Sequence, residues 1–234
     1  MKAVYKRDLR AYFASPLGYV FIAAFLIIIN GTFYLTNIRS ATNNLSGVSQ
    51  TILYALIVVV PLLTMRSLSE EYKQRTDQLL LTSPTKASGI VLGKFFAAYT
   101  VFVIALAFTV IQVFIVAAFG TPNLASVVGN YAAILAAAAV YIAIGVFVSG
   151  LTENQLIAAI ASLGIFVGIL LLDVAYSLAQ SPMVKSVLYW VSIYRRFNTF
   201  YIGVFSIADF VYYISAAAVF IFLTVKVIER KRWS

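Results

Sequence analysis

The side chains most capable of chemistry in this sequence are gathered in one short stretch, RSLSEEYKQRTD (66–77). Six of its twelve residues are charged, whereas only 11 % of the residues in the whole 234-residue chain are. The chain contains neither cysteine nor histidine, which excludes disulfides, thiolate nucleophiles, imidazole bases and the usual zinc ligands. We therefore expect no catalytic site and no metal site, and we expect the charged stretch to act through ion pairs and contact with a partner.

The charged stretch has the pattern of a helix. Ser67 and Glu70 have the spacing of a capping box, and Glu71 and Arg75 are placed for an i,i+4 ion pair. Tyr72 falls on the apolar face of the same helix. Any loop between two membrane spans is polar and basic, so a plain connecting loop is the simpler alternative.

A cluster of leucines follows the charged stretch directly. The segment DQLLLTSP presents Leu79 and Leu80 and stops at Pro84, and Thr76 is placed to cap a second short helix. A plain loop does not account for leucines exposed to water, whereas a partner protein would cover them. The pattern favours a docking segment.

The elements that position this stretch are membrane spans. Hydrophobic residues make up 62 % of the chain and its mean hydropathy is +0.96, well above the apolar content of a soluble domain. Apolar runs of about 20 residues cross the hydrocarbon of a bilayer. Residues 1–234 therefore form one polytopic membrane domain with six predicted spans, at about 17–36, 51–66, 88–118, 130–151, 155–178 and 208–227.

The distribution of Lys and Arg predicts the orientation. With both termini in the cytoplasm, thirteen of the seventeen basic residues lie on the cytoplasmic side, where such residues are retained. The net charge of +9 is then explained by topology and contact with anionic membrane lipids, not by nucleic-acid binding. Residues 1–16 have the pattern of a helix lying in the inner interface, with an unstructured basic tail as the alternative.

Few ionisable groups lie inside the predicted spans, which argues against a proton or ion relay. Asp173 lies toward the outer end of the fifth span and faces either a translocation path or the membrane interface. On the same span, Gly164 and Gly168 form a G-x-x-x-G pattern that permits close helix contact.

Residues 180–207 are too polar and aromatic for a seventh span, and they predict a pair of short helices at the outer interface. Arg195 and Arg196 in this segment are placed to meet lipid phosphates or an anionic substrate, and lipid contact is the interpretation we favour.

The nearest approach to a phosphate-binding loop is GIVLGKF (89–95). It has one residue too few between its glycines, and Phe95 stands where Ser or Thr should follow Lys94. We therefore expect no ATP site, and we interpret the two glycines as helix-packing residues with Lys94 reaching back toward the interface.

The segment EEYKQRTDQLLLTSPTKASGIVLGKF resembles the cytoplasmic loop of ABC-2 type transporter permeases. The resemblance is closest to the gliding-motility-type and nitrous-oxide-reductase-maturation-type permeases, and it extends to SVLYWVSIYRRFNTFYIGVFSIADFVYY before the last span. It implies an all-α transmembrane domain of six helices, similar to type V exporters, with an N-terminal interfacial helix and outer re-entrant helices over residues 180–207.

By the same resemblance, the chain is the permease subunit of an ABC exporter in the bacterial inner membrane and has no ATPase site. Two copies of a separate ATPase subunit bind ATP and Mg²⁺, and a second permease, either a copy or a relative with an extracytoplasmic domain, completes the pathway. The first and fifth helices line the dimer interface in the family, so Gly164 and Gly168 pack there or against a neighbour in the same chain. Residues 67–84 form the coupling loop, with its helix around 74–83 docked on the ATPase. The residues assigned to this coupling are Glu70, Glu71, Tyr72, Arg75, Thr76, Asp77, Leu79 and Leu80.

Two other functions fit the residues themselves. A self-contained channel or carrier is one, although a carrier usually shows broken helices or buried charges near mid-membrane. A membrane anchor or assembly factor that transports nothing, and recruits partners through Leu79 and Leu80, is the other.

Overall fold

The computed structural model describes residues 1–75, 86–121, 123–201 and 206–233. Within these ranges every regular element is helical. A π-helical turn, Tyr34–Ile38, extends the second helix. The helices are α1 (Lys2–Ala14), α2 (Pro16–Phe33), α3 (Ser46–Thr64), α4 (Ser69–Lys73), α5 (Ala87–Phe119), α6 (Leu124–Ser149), α7 (Gln155–Leu178), α8 (Pro182–Val191), α9 (Ile193–Tyr201) and α10 (Ile207–Trp233).

Six helical segments are long and apolar enough to cross a membrane. The all-α fold with six spans is therefore confirmed, and the chain is a multi-pass membrane protein. The apolar segments are Pro16–Ile38, Ser46–Lys73, Ala87–Phe119, Leu124–Ser149, Gln155–Leu178 and Ile207–Lys231.

The fourth segment begins earlier than the apolar run alone indicates, at Leu124 instead of about 130. Asn123 caps the helix, because its side chain accepts a hydrogen bond from the backbone N–H of Ser126 at 3.3 Å. The polar residues of this first turn are therefore helical although they are not part of the apolar run.

Helix α6 lies at the centre of the bundle. Its most apolar stretch is 83 % buried, against 17 % for α7 and 28 % for α2. Small residues let neighbouring helices approach its axis closely. At Gly145 the approach requires glycine, since a Cβ there would stand 2.2 Å from Thr64 Oγ1 on α3. The peripheral helices α2 and α7 instead expose apolar faces, as expected in lipid.

The bundle has two ends. The terminal face contains the N-terminus, the α3–α4 connection, the start of α5 and the end of α10. Ser149 Oγ, at the end of α6, accepts hydrogen bonds from the backbone N–H groups of Leu68, at 3.0 Å, and Ser69, at 3.1 Å. Lys231 lies 3.4 Å from the ring centroid of Tyr72 on the same face. The loop face, at the other end, contains α8 and α9.

Helix α1 packs across the terminal face. Val4 lies against Gly93, whose Cβ would stand 3.0 Å from the valine side chain. Tyr12 is buried and donates a hydrogen bond to the backbone oxygen of Leu63 at 3.0 Å. Burial raises the pKa of the Tyr12 phenol, so the hydroxyl keeps the proton that it donates. Ser15 is extended and ends α1, and Pro16 begins α2.

Candidate functional site

A cluster of six charged side chains lies on the terminal face. We call it the terminal-face charge cluster, and it joins α1, the α3–α4 connection, α4 and α5. Its members are Arg7, Asp8, Arg66, Glu70, Glu71 and Lys94.

Lys94 is the centre of the cluster and is only 3 % exposed. Its ammonium lies 3.1 Å from Asp8 Oδ2, 2.9 Å from Glu71 Oε1 and 2.6 Å from the backbone oxygen of Ser67. Three oxygens thus surround a group with three N–H donors, which compensates for the loss of water around the buried charge. Lys94 therefore extends toward the terminal face, where these partners hold its ammonium inside the protein.

Arg7 and Arg66 complete the cluster. Arg7 pairs with Asp8 at 2.8 Å and with Glu71, and therefore ties α1 to α4. Arg66 pairs with Glu70 through two hydrogen bonds, of 2.7 Å and 2.6 Å, in a bidentate arrangement.

Two local pairings predicted from the charged stretch do not form. The capping box of Ser67 and Glu70 is absent, because α4 begins at Ser69 and Glu70 turns to Arg66. Within the part of the chain that the structure describes, Glu71 pairs with Arg7 and Lys94, and Arg75 is not among its ion-pair partners. Arg75 adopts a left-handed backbone with φ of 55°, which ends α4 and separates its side chain from that of Glu71. In both cases a partner on another segment replaces a neighbour on the same helix.

The structure brings together part of the predicted coupling set. Glu70 and Glu71 belong to the terminal-face charge cluster, Tyr72 is buried beside Lys231, and Arg75 is exposed at the end of α4. The remaining predicted coupling residues, Thr76, Asp77, Leu79 and Leu80, lie outside the described residues.

Sequence reasoning assigned no contact on this face to Arg7, Asp8, Arg66 or Ser149, and it missed the burial of Lys94; two of these residues carried a particular signal. Asp8 is the one acid among the basic residues of the first sixteen positions, and Lys94 is a single cation in the apolar sequence of α5. Ser149 carried no such signal, since a serine at the end of a span is common.

Arg196, on α9, is buried on the loop face. Its guanidinium lies 2.8 Å from Asp209 Oδ1 on α10, with the two side chains 5 % and 7 % exposed. The rings of Tyr212 and Trp190 lie 4.0 Å and 5.0 Å from it. The expected contact of Arg196 with lipid phosphates is therefore wrong, because an internal carboxylate and aromatic rings enclose this side chain.

Arg195 points to a different helix. Its Nε lies 2.6 Å from Asp173 Oδ1 on α7 and forms an ion pair with it. The N–H of Nε is not aligned for a hydrogen bond to this oxygen. The guanidinium also lies 4.3 Å from the ring centroid of Tyr176. Both charged side chains are about a quarter exposed. The two neighbouring arginines thus attach α9 to α10 and to α7.

Gly164 and Gly168 lie on an open face of α7. Apart from the adjoining residues and backbone of α7 itself, no atom of the described chain stands within 4 Å of a Cβ built at either position. Of the two alternatives for this G-x-x-x-G pattern, packing against a neighbour in the same chain is therefore excluded for the described residues.

Comparison with known proteins agrees with this architecture. The family model described as "ABC-2 family transporter protein" matches residues 3–230, nearly the whole chain. No curated protein matches the chain. The family is a membrane transport component without an ATPase site, and it implies pairing with an ABC ATPase subunit. The chain therefore belongs to the ABC-2 family of transporter proteins, as a membrane subunit of an ABC transporter.

Proposed function

We propose that this chain is the permease subunit of an ABC exporter in the bacterial inner membrane, with the terminal face in the cytoplasm. ATP and Mg²⁺ bind to a separate ATPase subunit, present in two copies, that docks on residues 67–84. The excess of Lys and Arg on the terminal side supports this orientation. The quoted loop motif favours the branch of the gliding-motility-type and nitrous-oxide-reductase-maturation-type permeases.

The observation that carries the proposal is the terminal-face charge cluster. A transport ATPase must convert closure of its nucleotide sites into movement of membrane helices, and a docking segment can transmit that movement only if it is rigidly joined to them. Glu71 precedes the proposed docking leucines and is bound to α1 through Arg7 and to α5 through Lys94.

A second connection runs from the same segment to the central helix. Ser149 Oγ binds the backbone N–H groups of Leu68 and Ser69 and donates to the backbone oxygen of Met65 at 3.1 Å. A displacement of α4 is therefore passed to the end of α6 as well. Force applied at one short segment reaches three helices.

The open face of α7 supports a paired permease. Gly164 and Gly168 would allow a second subunit, either a copy or a relative with an extracytoplasmic domain, to approach closely. Opening of the pathway on the loop face then requires α8 and α9 to move. The ion pairs of Arg195 and Arg196, which attach α9 to α7 and α10, would oppose that movement.

A docking variant tests the proposal. The complex of this chain with its ATPase is purified, and ATP hydrolysis is compared in lipid nanodiscs for wild type and Leu79→Asp/Leu80→Asp. We expect the variant to lose co-purification and the permease-dependent change in hydrolysis rate, while still eluting as a folded membrane protein. Unchanged binding and rate would favour a channel or carrier. An anchor or assembly factor would be favoured if the variant lost binding to the ATPase and the wild-type chain did not change the rate of ATP hydrolysis.

A further inference from the structure

A cavity of about 670 Å³ opens beside the terminal-face charge cluster, between α1 and the α3–α4 connection. One end is lined by the cluster, including Arg7 and Arg66. Toward the elbow between α1 and α2 the cavity is lined by Ala11, Ala14, Ser15 and Leu17. The cavity is therefore charged at one end and mostly apolar at the other.

The charged end offers hydrogen-bond donors. Arg7 and Arg66 each engage carboxylates through Nε and Nη2, and within the described residues Nη1 of each makes no hydrogen bond. Their side chains are 49 % and 34 % exposed, so these N–H groups are reachable.

The carboxylates beside these arginines already accept from cations. Both oxygens of Glu70 accept from Arg66, and the two oxygens of Asp8 face Arg7 and Lys94. Glu71, the third carboxylate of the lining, pairs through Oε1 with Arg7 and Lys94. Two guanidinium groups with free N–H donors, and few free acceptors, are suited to a phosphate.

The apolar end identifies the source of that phosphate. Helix α1 packs across the end of a six-span bundle, with basic residues on its outer surface, which is the arrangement of a helix in the plane of a membrane interface. A phosphate group at that depth in the membrane belongs to a phospholipid, which carries acyl chains. Ala11, Ala14 and Leu17 are small or apolar and leave room for the first part of such a chain.

We propose that this cavity binds an anionic phospholipid, with the phosphate between Arg7 and Arg66 and the glycerol and acyl chain along Ala11, Ala14 and Leu17. Because Arg7 belongs to α1 and Arg66 follows α3, the bound lipid holds these two elements together. The proposal requires only that the chain lies in a bilayer, and it is independent of coupling to an ATPase.

The purified chain tests this without an ATPase. Lipid adducts are counted by native mass spectrometry, and thermal unfolding is followed in phosphatidylcholine nanodiscs with and without phosphatidylglycerol. Wild type should retain one phosphatidylglycerol and unfold at a higher temperature when it is present. Arg7→Gln/Arg66→Gln should bind it at least about tenfold more weakly, since two charge-assisted contacts are lost.

A matched control removes the same charge outside the cavity. Lys6→Gln/Arg10→Gln also deletes two cations, but both residues are exposed and neither lines the cavity. A second variant, Ala14→Phe, fills the apolar end from an exposed position and leaves every charge in place. Retention of the lipid by the control, with its loss in Ala14→Phe, would establish the cavity as the site.

Three results would overturn the assignment. If Lys6→Gln/Arg10→Gln lost as much phosphatidylglycerol binding as Arg7→Gln/Arg66→Gln, the lipid would be held by general attraction to a basic surface. Equal stabilisation by inorganic phosphate or glycerol 3-phosphate would show a site for a free anion. Undiminished binding to Ala14→Phe would place the lipid elsewhere.

Discussion

Lys94 Nζ lies 2.9 Å from Glu71 Oε1, and this buried contact joins the segment before the proposed docking leucines to the longest helix of the bundle. Asp8 and the backbone of Ser67 bind the same ammonium. Four segments therefore meet at one side chain.

Replacement of Lys94 should destabilise the protein. Lys94→Met removes the buried cation that Asp8 and Glu71 share, and loss of one member of a buried ion pair costs about 3–5 kcal/mol. We expect a cost of about 3 kcal/mol, at the lower end of that range, since Arg7 still compensates part of the charge. Thermal unfolding in a fixed detergent measures it. The matched control, Lys226→Met, breaks an exposed pair with Glu229 and should change stability by less than about 0.5 kcal/mol. Equal effects of the two variants would contradict the central position of Lys94.

Two glycines of α6 should respond oppositely to alanine. Gly145→Ala places a Cβ against Thr64 and should cost about 1–3 kcal/mol by overpacking. Gly129→Ala meets no atom within 4 Å and should be neutral or stabilise by up to about 1 kcal/mol through helix propensity. Chemical unfolding of both variants under identical conditions provides the comparison. If Gly145→Ala were as stable as Gly129→Ala, the close approach of α3 and α6 would be wrong.

The two arginines of α9 should differ in their contribution to stability. Arg196→Gln leaves Asp209 buried without its cation and should cost about 3–5 kcal/mol. Arg195→Gln breaks a partly exposed pair and should cost less than about 1 kcal/mol. A double-mutant cycle of Arg196→Gln with Asp209→Asn measures the coupling directly. Strictly additive effects would show that the two side chains do not interact.

The open face of α7 should be needed for association and not for folding. Gly164→Leu/Gly168→Leu fills space that the chain itself leaves empty, so the monomer should keep its stability. Pairing should weaken at least about tenfold, or about 1.4 kcal/mol, as measured by mass photometry or cross-linking in nanodiscs. Gly129→Leu, another open position, serves as control. Unaltered pairing in the double variant would place the partner on another face.

Much of the fold follows from the sequence. Apolar runs such as 155–178 predict spans directly, because a bilayer demands a fixed length of hydrophobic helix. The partners of the charged residues do not follow in the same way. Local spacing paired Glu71 with Arg75, but Lys94 and Arg7, distant along the chain, provide a less exposed and more complete set of contacts.

Arg196 shows the same limit of local patterns. Its aromatic neighbours suggested a membrane interface, whereas Asp209 on the next helix supplies the anion. A local pattern shows that a charge needs a partner, and only the packing of helices shows which residue that partner is.

The most direct test of coupling is the permease-dependent ATP hydrolysis rate of the complex carrying Lys94→Met, compared with Lys226→Met, in the same nanodiscs. The account predicts that both variants still co-purify with the ATPase and that only Lys94→Met loses the change in rate caused by the permease. A Lys94→Met complex that folds, binds and hydrolyses ATP as the wild type does would contradict the claim that the terminal-face charge cluster transmits movement to the membrane helices.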